Sequence, residues 1–149
     1  MRLHGLLLIV QSKLARIKTD LAEPTPDQVE ALSHAAALWA LLRKKLACGT
    51  RSVPRVDTWT CGGSLEVTLV WTSAPSEEAA PREVTATAFE DLQGLTVLLA
   101  YTLSAEEGTA GVTELADLGN FPTAWISLIR EVTTEEKEGQ HGKQLRGAL

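Results

Sequence analysis

The stretch from Val56 to Thr72, VDTWTCGGSLEVTLVWT, decides the fold of this chain. On both sides of Gly62-Gly63, apolar or β-branched residues alternate with polar ones, which is the period of a strand with one buried face. A Gly-Gly pair between two such runs is typical of a two-residue hairpin turn, because glycine tolerates the positive φ angles that these turns need. The sequence therefore predicts an antiparallel β-hairpin near the middle of the chain.

The two-residue turn also predicts the register of this hairpin. Three facing pairs follow from it: Thr60 with Leu65, Thr58 with Val67, and Val56 with Leu69. The predicted core face then holds Val56, Leu65, Val67, Leu69 and Trp71. Trp59 falls on the opposite, polar face, unless the register slips by one residue and inverts every side chain.

Two segments before the hairpin have the 3.6-residue period of amphipathic helices. In the first, the seam is Leu3, Leu7, Val10, Leu14, Ile17 and Leu21; in the second, the apolar positions are Val29, Leu32, Ala36, Trp39, Leu42 and Leu46. Pro24 ends the first segment, and Thr25 with Gln28 predicts a capping box at the start of the second. Residues 3–48 are therefore predicted to form a helical hairpin.

After the hairpin, Glu83–Phe89 and Leu95–Leu103 alternate and predict two more strands. A helix over Phe89–Ser104 is the competing interpretation, but the density of threonine and valine favours strands. Val112–Leu118 is predicted as a short helix. Asn120 is predicted to cap a last helix, whose apolar stripe is Trp125, Leu128, Ile129 and Val132.

The expected fold class is α+β: an N-terminal α-helical hairpin, a four-stranded, mainly antiparallel β-meander over 55–103, and C-terminal helices over 112–134. These elements are expected to form one two-layer domain over residues 1–134, followed by a charged tail over 135–149. The chain has 149 residues, 44% hydrophobic and 22% charged, which suits a single domain with its own core. Intrinsic disorder, a collagen-like repeat and a disulfide scaffold are excluded.

The sequence favours a reduced, intracellular (cytoplasmic) setting or a place in a virion. The apolar run Leu6–Val10 is shorter than the core of a signal peptide, and no stretch is long enough for a membrane span. Cys48 and Cys61 make neither a disulfide framework nor a zinc motif.

No catalytic constellation is predicted, so we expect neither an enzyme nor a cofactor or metal. His4, His34 and His141 lack a second ligand at a known metal spacing. His34 follows Glu30 by one helical turn, which we interpret as an ordinary intrahelical contact. Cys61-Gly62-Gly63-Ser64 is interpreted as a tight turn, because no general base lies nearby in the sequence.

Charge is segregated along the chain. Residues 1–55 contain nine basic and four acidic residues, whereas the remainder contains five basic and fifteen acidic ones, which together give the net charge of -5. The candidate basic patch consists of Lys13, Arg16, Lys18, Arg43, Lys44, Lys45, Arg51 and Arg55. Such a patch is suited to nucleic-acid phosphates or to an acidic protein surface, although bases also accumulate at helix C-termini without a ligand.

The first helix has more apolar surface than one seam requires. Leu6, Leu8 and Ile9 lie outside the seam, and burying each is worth about 1.5–3 kcal/mol. These three residues and Trp59 are the candidate partner-binding residues, because exposed apolar anchors mark protein interfaces. The alternative for the first three is packing beneath the last helix.

The leading hypothesis is a non-catalytic assembly or adaptor subunit that binds a protein partner or a second copy within a multi-subunit particle, a phage or virion being one candidate. The first alternative is a nucleic-acid-binding module that uses the basic helical hairpin; the net acidity argues against it. The second is a small-molecule binder or enzyme with a pocket near Tyr101, Trp71 or Cys61.

Overall fold

The computed structural model describes residues 3–46, 53–61, 64–73, 81–92, 94–105 and 108–133. For residues 3–8, 61, 104–105 and 108–110 it describes the backbone alone. The predicted charged tail over 135–149 lies outside the described residues.

Two helices open the fold: α1 over Leu3–Asp20 and α2 over Pro26–Leu46. The predicted capping box is present at the start of α2. The backbone N–H of Thr25 donates to Gln28 Oε1 at 2.9 Å, and the backbone N–H of Gln28 donates to Thr25 Oγ1 at 3.2 Å. Because the linker between the helices is short, α1 and α2 run antiparallel.

Helix α2 lies at the centre of the core, since it contacts α1 as well as the sheet. Its buried residues differ in part from the predicted stripe. Leu32, Trp39, Leu42 and Leu46 are buried as predicted, Ala35 and Leu38 are buried as well, and Val29 and Ala36 are half-buried. Val10 and Leu14 of the α1 seam are also buried, while Ile17 and Leu21 pack against the core with part of their surface exposed.

The sheet has five antiparallel strands in the order of the sequence, β1-β2-β3-β4-β5. Their bounds are Arg55–Cys61 (β1), Ser64–Thr72 (β2), Arg82–Asp91 (β3), Gly94–Ala105 (β4) and Gly108–Asp117 (β5). The predicted register of the first hairpin is confirmed in all three facing pairs. Phe89–Ser104 forms the end of β3, a turn and most of β4, so the strand interpretation of this segment is confirmed and the helical one is wrong.

The predicted helix over Val112–Leu118 is wrong, because this segment belongs to β5 except for its last residue. Leu118–Asn120 forms one turn of 3-10 helix, and the last helix, α3, covers residues 123–133 and begins after Pro122. Asn120 therefore does not cap it. The meander has five strands where four were predicted.

One face of the sheet is covered by helices and forms the core with them. Its buried residues include Leu65, Val67, Leu69 and Trp71 of β2, Val84, Ala86 and Ala88 of β3, and Val97 and Leu99 of β4. On α3, Trp125, Ile126, Ile129 and Val132 are buried. The described residues thus form an α+β fold, in which a five-stranded antiparallel sheet has a helical side and an open side.

Candidate functional site

A cleft divides the sheet where two hairpins diverge. Strands β2 and β3 pair only from Thr68↔Thr87 to Thr72↔Glu83, although β2 begins four residues earlier, at Ser64, and β3 continues to Asp91. The last pair before the cleft is closed by a hydrogen bond between the hydroxyl groups of Thr68 and Thr87, whose oxygens are 2.8 Å apart. Beyond it the β1–β2 hairpin forms one wall and the β3–β4 hairpin the other.

The cleft has a volume of about 570 Å³. Trp59, Glu66, Phe89 and Leu98 are among the residues that line it from the strands, and α2 closes it with Asp27, Glu30, Ala31 and His34. The residues that line the cleft therefore come from both the helical side and the open side of the sheet.

Three ionisable side chains meet at the α2 side of this cleft. Glu30 and His34 are one helical turn apart on α2, and Glu90 comes from β3. His34 Nε2 lies 3.8 Å from Glu30 Oε1 and 4.0 Å from Glu90 Oε2. The candidate ligand atoms of all three residues lie within 4.8 Å of one another.

The charge at this cluster is unbalanced. Hydrogen bonding with Glu90, together with the repulsion of its negative charge, raises the pKa of the Glu30 carboxyl. The described residues that line the cleft include four carboxylates and no lysine or arginine. His34 is the only basic side chain among them.

The open side of the sheet carries a row of exposed apolar side chains. Leu98 of β4 pairs with Leu115 of β5 on one flank and with Thr87 of β3 on the other, so their side chains share this face. Trp59 is 68% exposed and Leu115 is 63% exposed, while Leu98 and Phe89 are somewhat less exposed. We call Trp59, Phe89, Leu98 and Leu115 the open-face apolar row.

The prediction that Trp59 lies on the polar face is confirmed. Of the other candidate partner-binding residues, Ile9 is half-buried and packs against the core, so it is already partly covered by its own chain. The side chains of Leu6 and Leu8 lie outside the described part of the structure, so their role stays a prediction.

The candidate basic residues do not gather at one place. Lys13, Arg16 and Lys18 are exposed on the second half of α1. Arg43, Lys44 and Lys45 lie at the end of α2, which is the opposite end of an antiparallel helical hairpin. Arg55 of β1 is held by Asp57, with Nε–Oδ1 and Nη2–Oδ2 distances of 2.8 and 2.9 Å, and Arg51 is outside the described residues.

Two of the three residues proposed for a small-molecule pocket do not line the cleft. Trp71 is buried in the core and Tyr101 is half-buried, and neither lines the cavity. The side chain of Cys61 is outside the described residues.

Sequence reasoning missed Glu90, Leu98 and Leu115. The alternation of β4 places Leu98 opposite the core residues Val97 and Leu99 and could have indicated its exposure. Leu115 could not be found while its segment was interpreted as a helix. No local sequence pattern indicated Glu90 as a site residue, because its proximity to His34 depends on how the sheet packs on α2.

The comparisons with known proteins identify no relative. No protein-family model, curated protein or solved structure matches the chain. Within the described residues, no helix combines the length and the apolar character that crossing a membrane requires.

Proposed function

We propose that this protein is a non-catalytic assembly subunit, and that the open side of its sheet binds a second copy of the chain. The observation that carries the proposal is the open-face apolar row, because exposed apolar patches with aromatic anchors are typical of protein interfaces. Burying a side chain such as Leu115 is worth about 1.5–3 kcal/mol, so the row as a whole provides a substantial driving force for association.

The distribution of charge favours a second copy as the partner. Around the apolar row lie the exposed carboxylates Glu66 and Asp117, whereas Lys13, Arg16 and Lys18 are exposed on the helical side. The basic second half of α1 in one copy therefore complements the carboxylates on the open side of the next, which steers the two into register. Such a head-to-tail contact generates a ring or a filament, as expected of a subunit in a particle. The setting that we propose remains intracellular or within a virion.

The test is the mass of the full chain in solution, measured by light scattering at low and high salt. We expect an oligomer at both salt concentrations, because apolar burial drives the contact, while the complementary charges that salt screens act mainly on register and association rate. Leu115→Glu should give a monomer. Leu92→Glu is the matched control: Leu92 is a fully exposed leucine, but it lies in the turn after β3, outside the open-face apolar row.

Two results would overturn the proposal. One is a wild-type chain that is monomeric at every concentration tested. The other is an oligomer that Leu92→Glu weakens as much as Leu115→Glu does, since the contact would then not depend on the open-face apolar row.

The nucleic-acid alternative has less support from the arrangement. Its basic residues are divided between two ends of the helical hairpin, and Arg55 already binds Asp57. A binding assay with a short duplex at low salt tests it, and retention there would favour this alternative.

A further inference from the structure

We propose that Glu30, His34 and Glu90 form a binding site for a divalent metal ion, and that Zn²⁺ is the ion that this ligand set fits. The inference is independent of the assembly proposed above. It depends on an imidazole and two carboxylates that two separate elements, α2 and β3, bring together at one end of the cleft.

The donor atoms are spaced somewhat more widely than the ligands of a tetrahedral site. With metal–ligand distances of about 2.0–2.1 Å, neighbouring donor atoms in a tetrahedral zinc site are about 3.3 Å apart. His34 Nε2 is 3.8 Å from Glu30 Oε1 and 4.0 Å from Glu90 Oε2. Closing the site around an ion requires the two exposed glutamate side chains to turn inward by a fraction of an ångström to about one ångström.

The three side chains differ in how far they are buried and therefore in how freely they can move. The side chain of His34 is only 15% exposed, so packing on α2 holds its position. Both glutamates are more than half exposed and can turn toward an ion. Glu30 and His34 are four residues apart on a helix, which is the spacing that presents two ligands on one face.

The ligand chemistry selects among divalent ions. Calcium and magnesium prefer sites made entirely of oxygen, with six or more ligands. An imidazole beside carboxylates suits zinc, for which three protein ligands leave a fourth position open.

The electrostatics of the cleft also favour a cation. Asp27 and Glu66 line the same cavity as the two glutamates, and the described lining residues contain no lysine or arginine to neutralise them. The carboxylates of Glu30 and Glu90 also repel each other at this short separation. A bound metal ion removes this repulsion and displaces protons from its ligands.

The experiment is a titration of the full chain with zinc chloride near neutral pH, in competition with a chromogenic chelator. We expect one site per chain that is sensitive to His34→Gln and to Glu90→Gln, each of which weakens affinity by about 10- to 100-fold or more. Because Glu90 is exposed, its variant should keep the fold, which circular dichroism verifies.

Glu66→Gln is the matched control, because it removes the same charge from the same cleft but lies outside the cluster. It should change zinc affinity by less than about threefold, as expected for a carboxylate that acts through screened charge alone. The proposal is overturned if zinc does not bind, if binding survives Glu90→Gln unchanged, or if Glu66→Gln weakens it equally. The second outcome would place the ion on other residues of the chain.

Discussion

The hydrogen bond between Trp125 and Glu114 should hold the last helix against the edge strand. The indole N–H of Trp125 donates to Glu114 Oε2 at 2.6 Å, and this contact joins α3 to β5. Trp125→Phe removes the donor and keeps a six-membered aromatic ring, while Glu114→Ala removes the acceptor. The double variant completes a cycle in which the effects of each truncation by itself cancel.

The magnitude follows from the environment of the bond. A hydrogen bond to a charged acceptor contributes about 1.5–3 kcal/mol. The indole is buried but Glu114 is exposed, so competition from water favours the lower end, a coupling energy of about 1.5 kcal/mol. For a chain of this size, 1 kcal/mol corresponds to about 2–4 °C in Tm, so the coupling should appear as about 3–6 °C.

The assay is urea denaturation of the wild type, both single variants and the double variant, followed by tryptophan fluorescence and circular dichroism. Trp59→Phe combined with Glu114→Ala provides a control cycle, because Trp59 is on β1, at the far edge of the sheet, and its effects should add. If the Trp125 cycle were also additive within about 0.5 kcal/mol, the bond would contribute nothing and our account of how β5 is anchored would be refuted.

Two further predictions concern the sheet itself. Hydrogen bonds from Arg55 lower the pKa of Asp57. This exposed pair therefore stabilises the fold at pH values above the ordinary aspartate pKa. The stabilisation is lost as the pH falls through the lowered pKa of Asp57. Asp57→Asn should therefore lower the free energy of unfolding by about 0.2–1 kcal/mol at neutral pH and leave it unchanged in strong acid. Denaturation curves that show an equal loss at both pH values would contradict this. Gly94 has a φ of +124° with open space around its missing Cβ, so Gly94→Ala should destabilise the fold by about 1–2 kcal/mol through backbone strain alone. In Gly119→Ala the new Cβ would meet only an ordinary contact at 3.8 Å, so this variant should leave the free energy of unfolding nearly unchanged. Thermal denaturation of both variants tests the comparison.

The sequence predicts the first hairpin well because its information is local. The Gly-Gly turn fixes the pairing, and alternation then assigns each side chain to a face. The same holds for the start of α2, where Thr25 and Gln28 satisfy each other's backbone groups. These features depend on residues only a few positions apart.

Strand β5 could not be predicted because its local preference conflicts with its environment. Thr113-Glu114-Leu115-Ala116-Asp117 contains good helix formers, but β4 offers it a full antiparallel ladder from Ala105↔Gly108 to Thr96↔Asp117. Pairing along such a ladder outweighs a weak intrinsic propensity. The partner strand that decides its conformation is not visible in the local sequence.

The candidate site was only partly predictable for a similar reason. The exposure of Trp59 follows from strand alternation alone, and the pair Glu30 and His34 is visible as one turn of helix. Glu90 joins that pair only because β3 continues beyond its ladder with β2 and lies over α2. Contacts between distant segments are set by packing, which no local pattern encodes.

Because every strand hydrogen-bonds to its neighbour in sequence, the sheet can grow by adding one strand at a time to a preformed edge. Each addition closes a short loop, which costs little chain entropy and favours rapid folding. The growth ends at β5, whose outer edge has no further strand within the described chain. The sheet therefore ends in two edge strands, β1 and β5, and its growth along the sequence runs from the first edge to the second.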